Sequence, residues 1–302
     1  MRVLVTGGAG FIGSHVVEAL VARGDEVVVV DDLSTGHRSN LAAVASSITF
    51  LQADIGAGLL GHLEGDFDGV VHLAAQVSVV RSVAEPLVDV RTNGAGLVHV
   101  LEAARRHGKA KVVYASSAAV YGEAPPPVDE DAPCRPLSPY GIHKHAGEHW
   151  LAFYESVHGV PGAPLRFFNV YGPRQDPSSP YSGVISIFSK LAKAGERLML
   201  HGDGEQSRDF VFVADVVTAV LAALDDRSSA PPVNVGTGTA TSVRFLAETL
   251  INLAGQGELA FGPPRAGDIR HSRAKVERLR TRYGLEAKTP LEEGLAALLP
   301  SV

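Results

Sequence analysis

Cysteine is almost missing from this sequence, since Cys134 is the only one among 302 residues. A single cysteine excludes an internal disulfide framework and suits a reducing compartment. Basic blocks are also missing, and a net charge of −6 argues against nucleic acid as the main partner. The longest apolar segment, 210–224, is too short to span a bilayer and contains Asp215. Because no signal-peptide pattern precedes the first apolar run, we expect a cytoplasmic protein with no membrane partner.

Glycine, in contrast, is concentrated in one motif near the N-terminus. An apolar run over 3–5 leads into Gly7-x-x-Gly10-x-x-Gly13, after which apolar residues recur at helical spacing. Strand, tight turn and helix in this order are typical of a dinucleotide site, where the pyrophosphate lies on the helix N-terminus and a Cβ would obstruct it. The motif therefore predicts that a dinucleotide binds at this turn.

A second apolar strand, over 26–30, ends in Asp31 and Asp32. A carboxylate at this position can accept both hydroxyls of an adenosine ribose and would repel a 2′-phosphate, so the motif favours NAD over NADP. Glycine loops also serve as plain turns. Here, however, strand, helix, second strand and terminal acid follow one another in register, which favours NAD binding.

Strands and helices alternate through the first 170 residues. Predicted strands cover 48–51, 69–73, 111–115 and 165–168, and helical spacing covers 86–106 and 139–158. This alternation predicts an α/β fold: a Rossmann-type doubly wound parallel sheet with a smaller C-terminal α/β substrate-binding domain. We expect the NAD-binding domain over 1–170 and the substrate domain over 171–302, with parts of 210–236 rejoining the first domain.

Three polar side chains form a candidate reaction centre. Ser117 closes a predicted strand, and Tyr140 and Lys144 share one face of a predicted helix because they are four residues apart. An adjacent ammonium is expected to lower the pKa of the Tyr140 phenol. Tyr140 is then a general base for a sugar hydroxyl, and Ser117 donates or relays a hydrogen bond. A chance Tyr–Lys pair on a surface helix is the alternative, which the preceding glycine motif disfavours.

These motifs resemble those of the extended short-chain dehydrogenase/reductases, and within them the UDP-glucose (UDP-galactose) 4-epimerase group. The resemblance runs nearly end to end through 6–13, 31–36, 72–75, 116–122, 140–144, 166–173, 202–210 and 265–268. It implies that Ser117, Tyr140 and Lys144 are catalytic. It also implies NAD contacts at Gly7, Gly10, Phe11, Ile12, Gly13, Asp31, Asp32, Ser34, Thr35, Gly36, Asp54, Ile55, Ala74, Ala75, Asn93, Tyr140, Lys144 and Phe167.

The same resemblance implies a UDP-sugar substrate. Ser117, Asn169, Arg208, Arg265 and Asp268 would hold it, because arginines can chelate a diphosphate and an aspartate can accept from ribose hydroxyls. For each arginine, a surface salt bridge is the alternative interpretation. Ser272 matches a position that gates the sugar pocket in the family, and a small residue there implies that N-acetylhexosamines are admitted.

Ala118 and Ala119 stand where dehydratases and decarboxylases of the family carry Asp or Glu. Without those carboxylates, the resemblance implies oxidation and reduction alone, as in the 4-epimerisation of a UDP-hexose through a transient 4-keto sugar. Two alternatives stay open: a UDP-glucuronate 4-epimerase, and a non-catalytic NAD-sensing protein of the same fold. The family also implies a homodimer through the helices over 86–106 and 139–158.

His145, Glu148 and His149 match a zinc-protease pattern. At about 100° per residue, the two histidines lie roughly 140° to 180° away from Tyr140 on the same helix. No other motif supplies a third ligand, so we expect no metal site.

Overall fold

The computed structural model describes residues 1–58, 63–175, 183–264 and 269–302. Its strands are β1 (Arg2–Thr6), β2 (Glu26–Asp31), β3 (Ile48–Gln52), β4 (Gly69–His72), β5 (Lys111–Ser117), β6 (Gly162–Phe167), β7 (Asn169–Tyr171), β8 (Arg197–His201), β9 (Ser207–Arg208), β10 (Phe210–Phe212), β11 (Val233–Val235), β12 (Thr241–Ser242) and β13 (Glu258–Gly262). Its α-helices are α1 (Phe11–Ala22), α2 (Val79–Ala84), α3 (Pro86–Asp89), α4 (Gly96–Arg106), α5 (Pro139–His158), α6 (Val184–Lys193), α7 (Val213–Asp225), α8 (Val243–Ala254), α9 (Glu277–Tyr283) and α10 (Leu291–Leu298).

The chain divides into two compact units. The first unit comprises 1–122, 133–166 and 217–233, and the second comprises 123–132, 167–216 and 234–302. A seven-stranded sheet has the order β11-β6-β5-β4-β1-β2-β3, and β1 pairs in parallel with both β2 and β4. The predicted doubly wound sheet is therefore confirmed. Its strand order reverses beside β1, where such sheets bind ligands at the carboxyl ends of the strands.

The strands of this sheet are buried because helices cover a parallel sheet on both faces. Leu4 of β1, Val70 of β4 and Val112 of β5 have no exposed surface, and they pack with Val100 and Leu101 of α4. This core fixes the carboxyl ends of β1, β4 and β5, which carry the candidate site.

Helix α5 has the bounds that its sequence predicted. The Ser138 hydroxyl accepts the N–H of Gly141, and Pro139 occupies the first turn, so the helix starts there. Gly159 ends it with a φ of 67° in the left-handed region, which glycine adopts without strain.

The predicted helix over 86–106 is confirmed, but it is not a regular α-helix throughout. Helix α3 ends at Asp89, a π-helical turn follows over Val90–Ala95, and α4 begins at Gly96. A π turn adds a residue to one turn of helix and so rotates the side chains that precede it relative to those that follow. Asp89 and Asn93 are both buried here.

The second unit has its own apolar core. Leu198 and Leu200 of β8 are fully buried, and Phe188 of α6 joins them with Leu246 and Leu250 of α8. Its sheets are small: β13 pairs with β8, β10 with β7, and β12 with β9. Across the described ranges, no helix combines the length and the apolarity that a bilayer crossing requires.

Candidate active site

The glycine turn after β1 is built so that side chains would not fit. Gly7 has a φ of 72°, and a Cβ on it would lie 2.6 Å from the backbone N of Ala74 after β4. A Cβ on Gly13 would lie 2.0 Å from the carbonyl oxygen of Gly7. Gly10 precedes α1 without a side-chain cap, so backbone N–H groups face the turn. These residues fit a dinucleotide pyrophosphate, which needs such a cradle at a helix N-terminus.

Asp31 and Asp32 at the end of β2 have different environments. Buried Asp31 accepts the N–H groups of Ala9 and Leu33, each at 2.9 Å, so it joins the glycine turn to the next loop. Burial raises the pKa of Asp31. Asp32 is exposed and accepts from both the backbone N–H and the hydroxyl of Ser34. The two acids and this loop therefore lie beside the predicted pyrophosphate cradle.

The other predicted NAD residues lie in the first unit, except Phe167, which belongs to the second. Asp54 accepts the Gly56 N–H at 2.7 Å and pairs with Arg91. The Asn93 amide is engaged within the protein: its nitrogen donates to the Gln76 carbonyl and its oxygen accepts the Gln76 N–H, both at 2.9 Å. Contact of these side chains with NAD stays a prediction.

Ser117, Tyr140 and Lys144 come together where β5 ends against α5. The Ser117 hydroxyl accepts the Ala119 N–H at 3.1 Å, and its interaction with the Tyr140 phenol lowers the pKa of that phenol. Lys144 is buried, and its Nζ donates to the Ala115 carbonyl at 2.6 Å. The same Nζ lies 5.7 Å from the Tyr140 ring centroid. A phenol, a hydroxyl and an ammonium thus share one site.

The expected lowering of the Tyr140 pKa is wrong for the protein itself. Burial raises the pKa of Tyr140 more than the Ser117 hydrogen bond lowers it, and the charge of Asp89 raises it further. Burial also lowers the pKa of Lys144 to about 8, although the Asp89 charge acts against this. Lys144 is therefore largely protonated at neutral pH but loses its proton when the pH rises past about 8.

Two ring residues behind Lys144 were not predicted. Tyr114 of β5 lies with its ring centroid 4.9 Å from the Lys144 Nζ, a cation–π contact, and His72 of β4 stacks on Tyr114 at 5.7 Å. Burial and the Lys144 charge lower the pKa of His72 to about 3, so the imidazole is neutral at physiological pH. Gly147 leaves room for the Tyr114 hydroxyl, which a Cβ there would approach to 2.4 Å. That glycine, seven residues after Tyr140 on the same helix, was the available sequence signal.

Two buried carboxylates lie on or against α5: the sequence did not single out Asp89, and it identified Glu148 only as part of the zinc-protease pattern. Asp89 accepts from the side chains of Gln76, Asn93 and His143. The sequence signal for Asp89 was an acidic residue placed between two valines of the predicted helix. The second carboxylate, Glu148, accepts from both Nε and Nη2 of Arg166, at 2.8 and 2.7 Å.

The second unit holds a pocket of about 330 Å³ that includes two predicted substrate residues, Asn169 and Arg208. Its lining is otherwise mainly apolar: Val184, Ile187, Phe188, Leu191, Met199, His201, Gln206 and Val243. Ser272 donates its backbone N–H to the Ser207 carbonyl at 3.0 Å, next to Arg208 in sequence. Arg265 and Asp268 lie outside the described residues.

His145 and His149 lie one turn apart on α5, with 3.4 Å between their Nε2 atoms. Glu148 turns inward to Arg166, although its Oε2 is also 3.5 Å from the His145 Nδ1. Within the part of the chain that the structure describes, no three His, Cys, Asp or Glu side chains form a group that could hold a metal ion.

Comparison with known proteins identifies epimerases as relatives of this chain. Residues 3–236 match the model of the NAD dependent epimerase/dehydratase family. A UDP-glucose 4-epimerase of Mycolicibacterium smegmatis is 44% identical over 98% of this chain and 96% of its own length. The crystal structure of Thermotoga maritima UDP-glucose 4-epimerase with UDP-glucose superposes with a TM-score of 0.93 at 39% identity, covering 99% of this chain and 98% of that one. A UDP-N-acetylglucosamine 4-epimerase from Methanobrevibacter ruminantium, in complex with UDP-N-acetylmuramic acid, has a TM-score of 0.93 at 35% identity and covers 99% of this chain and 97% of that one.

Proposed function

The chain belongs to the NAD-dependent epimerase/dehydratase family, and we propose that it is an NAD-dependent UDP-hexose 4-epimerase. The observation that carries the proposal is the group of Ser117, Tyr140 and Lys144 at the end of β5, followed by Ala118 and Ala119 in place of acids. A phenol base followed by alanines, instead of acids, at positions 118 and 119 supports oxidation and reduction of one carbon without further acid–base chemistry.

Each side chain then has a defined task. Tyr140 takes the proton of the sugar 4-hydroxyl as C4 is oxidised and returns it when the 4-keto sugar is reduced on its other face. Ser117 hydrogen-bonds the same oxygen, and the Lys144 ammonium stabilises the Tyr140 phenolate. When bound, NAD supplies the hydride transfer at C4 in both directions.

The glycine turn and the β2 carboxylates would hold that cofactor. Gly7, Gly10 and Gly13 leave the cradle for the pyrophosphate, and Asp31 and Asp32 would accept from the adenosine ribose. The remaining NAD contacts expected from the family resemblance belong to the same proposal.

We extend the proposal to the pocket of the second unit as the site of the UDP group. Arg208 supplies positive charge for a diphosphate and Asn169 supplies an amide, while the apolar lining suits a flat base. Ser272 is proposed to leave room for an N-acetyl group, which extends the substrates to UDP-N-acetylglucosamine and UDP-N-acetylgalactosamine.

Purified protein, given UDP-glucose without added NAD, should form UDP-galactose, because we propose that NAD stays bound through turnover and the cycle regenerates it. The C4 epimers are separated by chromatography, and UDP-N-acetylglucosamine and UDP-glucuronate are tested in parallel. Turnover of the uronate alone would replace the hexose assignment with UDP-glucuronate 4-epimerisation.

Tyr140→Phe separates an enzyme from an NAD-sensing protein. The variant removes the proton acceptor without changing the ring, so turnover should fall by about 10²–10⁴-fold. NAD affinity, measured by calorimetry, should change little. Full turnover by Tyr140→Phe would refute the assigned base.

We also propose a homodimer in the cytoplasm. Large apolar side chains are exposed on α2, α3 and α5: Val79, Val80, Val83, Leu87, Ile142, Trp150, Phe153 and Val157. A patch of this kind is typical of a protein interface. A single cysteine, Cys134, suits a reducing compartment. Light scattering that gave only the monomer mass would contradict the dimer.

A further inference from the structure

The Asp89 carboxylate is completely buried and gathers three hydrogen bonds. It accepts from the Gln76 Nε2 at 3.0 Å, from the Asn93 Nδ2 at 2.8 Å and from the His143 Nδ1 at 2.5 Å. Two of these donors are neutral amides. The buried negative charge is therefore compensated by groups weaker than a guanidinium.

The three donors come from three segments around the reaction centre. Gln76 follows Ala74 and Ala75 in the loop after β4, and Asn93 lies in the π-helical turn. His143 lies on α5 directly before Lys144 and three residues after Tyr140. One carboxylate thus connects a proposed cofactor-binding loop with the helix that carries the base.

The charge of Asp89 also reaches both titrating groups of the centre. It raises the pKa of Tyr140 and the pKa of Lys144. For Lys144 this effect opposes burial, which alone would favour the neutral amine. A charged Lys144 is what the proposed reaction requires, since a neutral amine cannot stabilise a phenolate.

We propose that Asp89, held by His143, is a positioning residue for the reaction: its hydrogen bonds fix α5 against the loop that carries Ala74 and Ala75, and its buried charge acts on the Tyr140–Lys144 pair of that helix. This inference rests on the proposed function. The other titratable groups near the centre are His72 on β4, Tyr114 on β5 and Glu148 on α5, and Arg91 of the π-helical turn is paired with Asp54.

Asp89→Asn tests the charge because it keeps the shape and one acceptor oxygen. Removing the charge should lower the pKa of both Lys144 and Tyr140, so both limbs of the pH profile of kcat should move to lower pH. The maximal kcat should fall by about tenfold, while KM for the UDP-sugar stays within about twofold. A lower kcat with unmoved limbs would reduce Asp89 to a structural residue and overturn the proposal.

Glu102→Gln is the matched control. Glu102 is a carboxylate on α4 that accepts from the Tyr154 hydroxyl of α5 at 2.9 Å, so it also joins α5 to a neighbouring element. Neither limb of the pH profile should move in this variant. A shift equal to that of Asp89→Asn would also overturn the proposal.

A pair of His143 variants covers the case in which Asp89→Asn does not fold. His143→Gln keeps an N–H donor for Asp89, whereas His143→Leu leaves the carboxylate one hydrogen bond short. We expect His143→Gln to keep kcat within about threefold and His143→Leu to lose about tenfold or more. Equal activity of the two variants would contradict the role of His143.

A titration without substrate separates this proposal from the function itself. Ultraviolet difference absorbance of the NAD-bound protein, with Tyr140→Phe as the blank, follows ionisation of the Tyr140 phenol. The phenol should titrate at lower pH in Asp89→Asn than in the wild type, even if no tested sugar is epimerised. An unchanged phenol titration in a folded variant would refute the proposal, whatever the activity assays show.

Discussion

Two buried carboxylates lie on or against α5, and their hydrogen-bond partners differ in kind. Glu148 meets the Arg166 guanidinium through two hydrogen bonds and also accepts from the Ser116 hydroxyl at 2.6 Å. Asp89 meets two amides and an imidazole. An acid paired with a permanently charged guanidinium exerts little field on its surroundings, whereas an acid held mainly by amides keeps a charge that acts on its neighbours. The first arrangement stabilises the fold, and we infer that the second serves the reaction.

Among the variants that test this comparison, Arg166→Met should have the largest effect on stability. The variant leaves Glu148 buried without its cation, so we expect the free energy of unfolding to fall by about 3–5 kcal/mol. Urea unfolding measures the loss. Adding Glu148→Leu should recover most of it, because a buried ion pair can be replaced by apolar side chains of similar size. An Arg166→Met variant as stable as the wild type would show that the Arg166–Glu148 ion pair is dispensable.

Gly147→Ala should have an intermediate effect confined to the reaction side of α5. Its new Cβ would lie 2.4 Å from the hydroxyl of Tyr114, whose ring packs beside the Lys144 Nζ. Overpacking of this kind costs about 1–3 kcal/mol, measured by thermal unfolding. Gly24→Ala is the control. A Cβ on Gly24 would meet no neighbouring atom, so this variant is destabilised only by its backbone φ of 87°, which an alanine adopts with strain. If the Tyr114 clash matters, only Gly147→Ala should also lower kcat.

The smallest effect is expected from a change of pH, which distinguishes the two carboxylate sites without any substitution. Lys144 has a lowered pKa of about 8, so its charge is lost as the pH rises through that value. Because Tyr140 must ionise to act as the base and its own pKa is raised, activity should rise with pH up to about 8 and level off above it, where loss of the Lys144 charge offsets the ionisation of Tyr140. The pKa of Arg166 is raised further from its already high ordinary value, so the Glu148 ion pair persists there. A loss of stability at the pH where activity levels off would contradict this separation.

The parts of the site that regular elements position were predictable from sequence. Ser138, Pro139 and Gly159 mark the ends of α5, and the four-residue spacing places Tyr140 and Lys144 on one face. The Asp89 group was not predictable in this way. It depends on a π-helical turn, and one extra residue leaves the apolar spacing of 86–106 almost unchanged.

The pocket of the second unit shows the same limit. Arg208 and Asn169 were predicted from motifs, but Met199 and His201 were not. Alternation along β8 was the available signal, because Leu198 and Leu200 are buried on the other face of the strand. Which of the two faces borders a pocket depends on the packing of α6 and α8, which strand alternation does not specify.

Trp150 is the only tryptophan of the chain and is 40% exposed on α5, with its ring centroid 5.9 Å from that of Phe153. All indole fluorescence of the protein therefore originates at one spot on the proposed subunit interface. The wavelength of maximal tryptophan emission therefore reports association without a label: it should shift to longer wavelength on dilution, as the dimer dissociates and water reaches the indole ring.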